Sequence, residues 1–122
     1  MKDKFFVPYE TAKRLKEKGY PQKGSSYWRI EEEERPRIVD YWLLDEDEDR
    51  ERGYSHISAP TYHEVIDWLE GKGIRVFAHY YIDNGKWVYV IEDFKRLQDN
   101  AGFFHTREEA LNAAILKALE LI

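Results

Sequence analysis

An Asn-Gly pair at residues 84 and 85 stands between two runs dense in apolar and aromatic residues, IRVFAHYYID before it and KWVYVIE after it. Few sequence features constrain a chain more, because Asn-Gly between alternating runs is the strongest short-range mark of a β-hairpin. A two-residue type I′ turn at Asn84-Gly85 would pair Asp83 with Lys86, Ile82 with Trp87, Tyr80 with Tyr89 and Ala78 with Ile91. Successive strand residues face opposite ways, so the last three pairs share one side with Val76 and Ile74. That side is expected to meet helices. The other side carries Phe77, His79, Tyr81, Val88 and Val90, which is unusually apolar for a solvated surface. These five residues are the candidate binding face, for a protein partner or for self-association.

A helix is expected just before the hairpin, from about Pro60 to Glu70. Thr61 and Glu64 have the spacing of a capping box, Tyr62, Val65, Ile66 and Leu69 form an apolar stripe, and Gly71-Lys72-Gly73 stops it. A fainter copy comes earlier. Pro8 to Lys18 reads as a helix ended by Gly19, with strands following at Ser26–Glu32 and Arg37–Asp45. On the second of these strands the uncharged side, Val39, Tyr41 and Leu43, is expected to face the core. With an offset of 54, Ala12, Leu15, Lys18 and Gly19 align with Ile66, Leu69, Lys72 and Gly73. Duplication of an αββ unit is one reading of that alignment; amphipathic helices that happen to end in glycine are the other.

Phe94 to Gly102 reads as a surface connection and Phe103 to His105 as a short edge strand. Thr106 with Glu109 then caps a last helix, whose Ala110, Leu111, Ala114, Ile115, Ala118, Leu119 and Ile122 make a broad apolar stripe. The expected order is α-β-β-α-β-β-α, an α+β fold with helices packed on a mostly antiparallel sheet. At 122 residues the chain suits a single domain, residues 1–122.

Charge is unevenly spread about a net of −5. Residues 1–30 hold eight Lys and Arg against three acids, and residues 31–52 hold four against eleven. An acidic balance argues against non-specific nucleic-acid binding, which requires neutralised phosphates. The run DEDEDRER at 45–52 cannot bury surface and reads as a mobile acidic loop. Its carboxylates suit a hard cation, yet counting from Asp45 the EF-hand positions for glycine and glutamate hold Arg50 and His56. With no cysteine there are no disulfides and no thiolate metal sites. The start lacks the apolar stretch of a signal peptide, and no run is long enough to span a bilayer, so a cytoplasmic protein is expected.

Candidate chemistry is sparse. His63 and Asp67 lie one helical turn apart and would supply two metal ligands, but the second histidine of an HExxH motif is absent. The serines lack a nucleophile elbow, and no glycine loop for phosphate exists. No catalytic residue, metal ligand set or cofactor is assigned. The primary expectation is a non-catalytic interaction or accessory protein. A small hydrolase or metal-dependent enzyme using His63/Asp67 or the acidic run is the alternative, followed by an acidic DNA-mimic type inhibitor.

ISAPTY ahead of the second helix, DWL with KGI at its end, the aromatic hairpin and the terminal EEALNAAILKALELI resemble a family of small uncharacterised proteins encoded in bacterial prophages, plasmids and other mobile elements. The resemblance covers Ser58 to Ile122 and, less closely, the start VPYETAKRLKEKGY; the acidic run at 45–52 has no counterpart. It implies a cytoplasmic mobile-element context and transfers no activity and no site residue.

Overall fold

The computed structural model describes residues 2–22, 24, 26–31, 35–40, 46–93, 97–99 and 103–122. The chain divides into two compact units, Met1–Pro60 and Thr61–Ile122. Each is α+β, with helices beside a three-stranded antiparallel sheet.

The first unit opens with a 3-10 turn, Lys2–Phe5, and helix α1, Tyr9–Glu17. Thr11, Ala12 and Leu15 are its buried face. Strands β1 (Ser26–Ile30), β2 (Arg37–Asp40) and β3 (Ser55–Ser58) form a sheet in the order β2-β1-β3. Trp28 pairs with Ile38 on one side and Ile57 on the other, so these three share a face. The buried Trp28 indole donates its N–H to the Val7 carbonyl at 3.2 Å and meets the Tyr9 ring edge-on at 6.2 Å.

The core side of β2 therefore carries Ile38 and Asp40 and not Val39; Tyr41 and Leu43 lie outside the described residues. Asp40 argued against this side on grounds of charge. It sits opposite Ser26 at the strand end, where the buried serine hydroxyl donates to its carboxylate at 3.4 Å. Strand β3 is a second departure from the sequence expectation. Ser-His-Ile-Ser offers one apolar residue and no periodic signal, so the strand is set by its partner β1. Gln22 helps to hold it, accepting from the Ser58 backbone N–H at 2.9 Å and donating to the Tyr20 carbonyl at 3.0 Å. In the acidic run, Glu46–Glu51 forms a short helix, α2, where a loop is expected. An ion pair one turn apart, Glu48 with Arg52, favours that winding.

In the second unit, helix α3 spans Tyr62–Gly71 and opens with the expected capping box. The Thr61 hydroxyl accepts from the Glu64 N–H at 3.2 Å, and the Glu64 carboxylate accepts from the Thr61 N–H at 3.1 Å. Strands β4 (Arg75–Tyr81), β5 (Lys86–Glu92) and β6 (Leu97–Asp99) run as a meander in the order β4-β5-β6. Helix α4, Arg107–Leu119, lies with α3 against the sheet, and its stripe from Ala110 to Leu119 is buried. Val76, Tyr89 and Ile91 are buried from the sheet side. Beyond β6, the strand expected at 103–105 is a single bridge, Phe104 to Trp87.

The hairpin register differs by two residues from the expected one. Tyr81 pairs with Lys86, Tyr80 with Trp87, Ala78 with Tyr89 and Val76 with Ile91. A type I′ turn needs positive φ at both central residues, and here only Gly85 has it, at 66°. The chain reverses instead through a four-residue loop, Ile82 to Gly85. The Gly85 N–H donates to the Tyr81 carbonyl at 2.9 Å, and the Asn84 side chain accepts from the Lys86 N–H at 3.1 Å. Because the strand period is two, a shift of two leaves every side chain on its expected face.

The proposed repeat is visible at the helix ends. The Leu15 carbonyl accepts from the Tyr20 N–H at 2.9 Å around Gly19 at φ 93°, and the Leu69 carbonyl accepts from the Ile74 N–H at 3.0 Å around Gly73 at φ 85°. Both are left-handed glycine stops of the Schellman kind. Each unit then adds an antiparallel strand pair. The third strand joins the opposite partner in the two units: β3 pairs with β1, whereas β6 pairs with β5. The likeness therefore extends over helix and hairpin and stops there.

Candidate functional site

The candidate site is the face of the second sheet turned away from α3 and α4. Alternation along RVFAHYY sends Val76 and Ala78 toward the helices and Phe77, His79 and Tyr81 outward. Across the strand pair, Phe77 stands opposite Val90 and His79 opposite Val88. The five sequence-derived candidates therefore share one face, with unequal exposure. Phe77, His79 and Tyr81 are exposed, Val90 is half-buried, and Val88, on the central strand, is buried. A sixth residue joins them. Phe103 lies 6.0 Å from the Tyr81 ring, edge to face, and is 56 % exposed. The other edge of Tyr81 meets His79 at 5.6 Å.

The result is an open row of rings, His79–Tyr81–Phe103, at the loop end of the hairpin. Ile82, in the loop itself, is 85 % exposed. Edge-to-face stacking holds the rings in fixed relative orientations, which lowers the entropy lost when another surface lands on them. Sequence places Phe103 in a short edge strand and not beside Tyr81, from which it is distant along the chain.

Beside β4 a groove of about 380 Å³ is lined by Ile66 and Glu70 of α3 and by Arg75, Val76 and Phe77. Nearby, Tyr62 at the start of α3 is partly buried, and that burial, with Glu108 beside it, pushes its phenol up to about 12 from its ordinary value of 10. The folded chain thus keeps this proton between pH 10 and about 12 while the unfolded chain releases it, so stability falls as pH rises through that window. Alkaline titration of tyrosinate absorbance should show a late-ionising phenol that Tyr62→Phe removes. A titration curve unchanged by that substitution would disprove the assignment.

Of the sequence-derived metal candidates, His63 and Asp67 do come together. Their side chains approach to 3.4 Å on the solvent face of α3, and both are exposed. Among the described residues no third histidine or acid completes a ligand cluster with them. Elsewhere, the buried Glu31 carboxylate in the first unit takes guanidinium groups from both Arg29 and Arg37 at 2.7 Å, and Arg29 also lies over the Tyr54 ring at 5.5 Å. One carboxylate oxygen thus holds two guanidinium groups, a structural clamp on that sheet, while the buried Arg29 Nε has no hydrogen-bond partner among the described residues. Among the described residues no helix is long and apolar enough to cross a membrane. Comparison with known protein families, with curated proteins and with solved structures gives no match.

Proposed function

We propose that this protein is a non-catalytic, cytoplasmic interaction module, an accessory protein of a bacterial mobile element, and that it engages a protein partner through the open face of its second sheet. One observation carries this reading: Phe77, Tyr81 and Phe103 are all at least two-fifths exposed, on the face turned away from α3 and α4. Aromatic residues are enriched where proteins meet and dominate the energy of such contacts. Tyr81 is the centre of the row, in contact with a ring on each side.

Tyr81→Ser tests the proposal. At 45 % exposure the ring contributes little to folding, so the unfolding midpoint should stay close to that of the wild type. Affinity for a partner captured from the source cytoplasm should fall on the order of 30-fold, the size of a lost aromatic hot spot. Equal capture by wild type and variant would sink the reading.

The paired His63 and Asp67 support a second, weaker reading as a metal-dependent enzyme. A thermal-shift series with divalent cations separates the two: a rise in midpoint abolished by His63→Ala would favour the metal.

A further inference from the structure

Strand β4 forms one edge of its sheet, and among the described residues no strand pairs with its outer side. The backbone groups directed outward there can be identified. Trp87 exchanges both of its backbone hydrogen bonds with Phe104, at 2.8 and 2.9 Å, so its N–H and C=O point away from β4. Its cross-strand neighbour Tyr80 is therefore in a non-hydrogen-bonded pair, and Tyr80 directs its own N–H and C=O to the free edge. Alternation does the same for Ala78 and Val76. Among the described residues nothing takes up the backbone donors and acceptors that these three residues direct to the edge.

Edge strands of stable monomers are commonly blunted by lysine, proline, a bulge or an inward charge. Arg75–Tyr81 contains none of these, and its one charge is at its first residue. The geometry points to a second copy of this chain as the occupant, paired antiparallel through β4 about a two-fold axis at Ala78. In that register Ala78 faces Ala78 of the second copy, and Val76 faces Tyr80. All three residues on each copy are the outward-directed ones, so each N–H meets a C=O.

The side chains fit the same register. Tyr80 is 44 % exposed and belongs to the helix side of the sheet. Opposite Val76, it enters the groove of the second copy, where Ile66 provides an apolar wall and Glu70 a partner for its hydroxyl. On the open side, Arg75 stands opposite Tyr81 of the second copy, with that copy's Asp83 following. Opposite charges therefore meet at both ends of the paired strands. The edge is only seven residues long. It gives a contact at the low end of specific interfaces, so the dimer is weak and concentration-dependent.

This inference uses the edge of the sheet and does not rest on the partner-binding face. It also joins the two open faces side by side into one larger surface. Single-cysteine variants test it cleanly, because the chain has no cysteine of its own. Residues facing each other in a hydrogen-bonded antiparallel pair have Cα atoms about 5.5 Å apart, within disulfide range. Ala78→Cys should cross-link to a dimer under mild oxidation, in proportion to concentration. Tyr81→Cys, whose symmetry mate lies roughly 20 Å away along the strand, should not.

Sedimentation of the unmodified chain should show a mass rising toward two chains with concentration. Ala78→Pro, which removes the outward N–H at the axis and leaves the hydrogen bonds to β5 in place, should weaken that association at least tenfold with folding unchanged by circular dichroism. A single-chain mass at all concentrations, or no cross-link at residue 78, overturns the proposal. Equal cross-linking at 78 and 81 overturns it too, as the mark of unspecific aggregation. Dimerisation lost in Ala78→Pro while partner capture persists supports the edge pairing apart from the interaction reading, and capture lost in Tyr81→Ser while dimerisation persists separates them in the other direction.

Discussion

Leu69→Ala is expected to destabilise the protein by about 2–5 kcal/mol, read as a shift in the midpoint of denaturant unfolding. Leu69 is fully buried in the second unit. Its backbone carbonyl, which holds the helix stop by accepting from Ile74, is retained by alanine. The loss is therefore one of packing alone: three side-chain carbons go, leaving a cavity that neighbouring side chains only partly fill. Thr61→Ala at the other end of α3 is a useful reference, because a lost cap costs only about 1 kcal/mol. A Leu69→Ala effect no larger than that would mean the helix does not pack as described.

The first unit has its counterpart in Trp28. Trp28→Ala should cost about 3–5 kcal/mol, since the ring fills the space between the sheet and the segment leading into α1. Trp28→Phe isolates one part of that effect. It keeps an aromatic ring against Tyr9 and removes the N–H that the buried Val7 carbonyl accepts at 3.2 Å. An unpartnered buried carbonyl costs about 1–3 kcal/mol, so phenylalanine should recover much, though not all, of the loss. If Trp28→Phe and Trp28→Ala proved equally damaging, the hydrogen bond and not the ring would dominate.

How far these features were legible in the sequence depends on the range over which each is determined. Caps and stops are local: Thr61 with Glu64, and Gly73 after the stripe, are written in neighbouring residues and appear as expected. The faces of the hairpin are nearly as local, because parity alone decides them, and parity survived a register error of two. The register itself was not legible. Asn84-Gly85 is equally compatible with a two-residue and a four-residue loop, and the choice falls on the one that leaves Asn84 at negative φ.

Strand β3 was invisible because Ser55–Ser58 has no pattern apart from the strand it pairs with. The core side of β2 was misassigned because a charge counted against it, although Asp40 occupies a strand end where Ser26 meets it. The same logic governs the candidate site. Phe77, His79 and Tyr81 were identified by alternation along one strand. The burial of Val88 and the addition of Phe103 are evident only in the folded chain.

The placement of two aromatic contacts has an optical consequence. Trp28 packs edge-on to Tyr9 in the first unit, and Trp87 packs against Tyr80 at 5.2 Å in the second. Each unit thus holds an indole in a fixed orientation beside a phenol, the arrangement that gives near-ultraviolet dichroism. Unfolding of either unit is reported by the chain's own chromophores, without a label and without touching the open face.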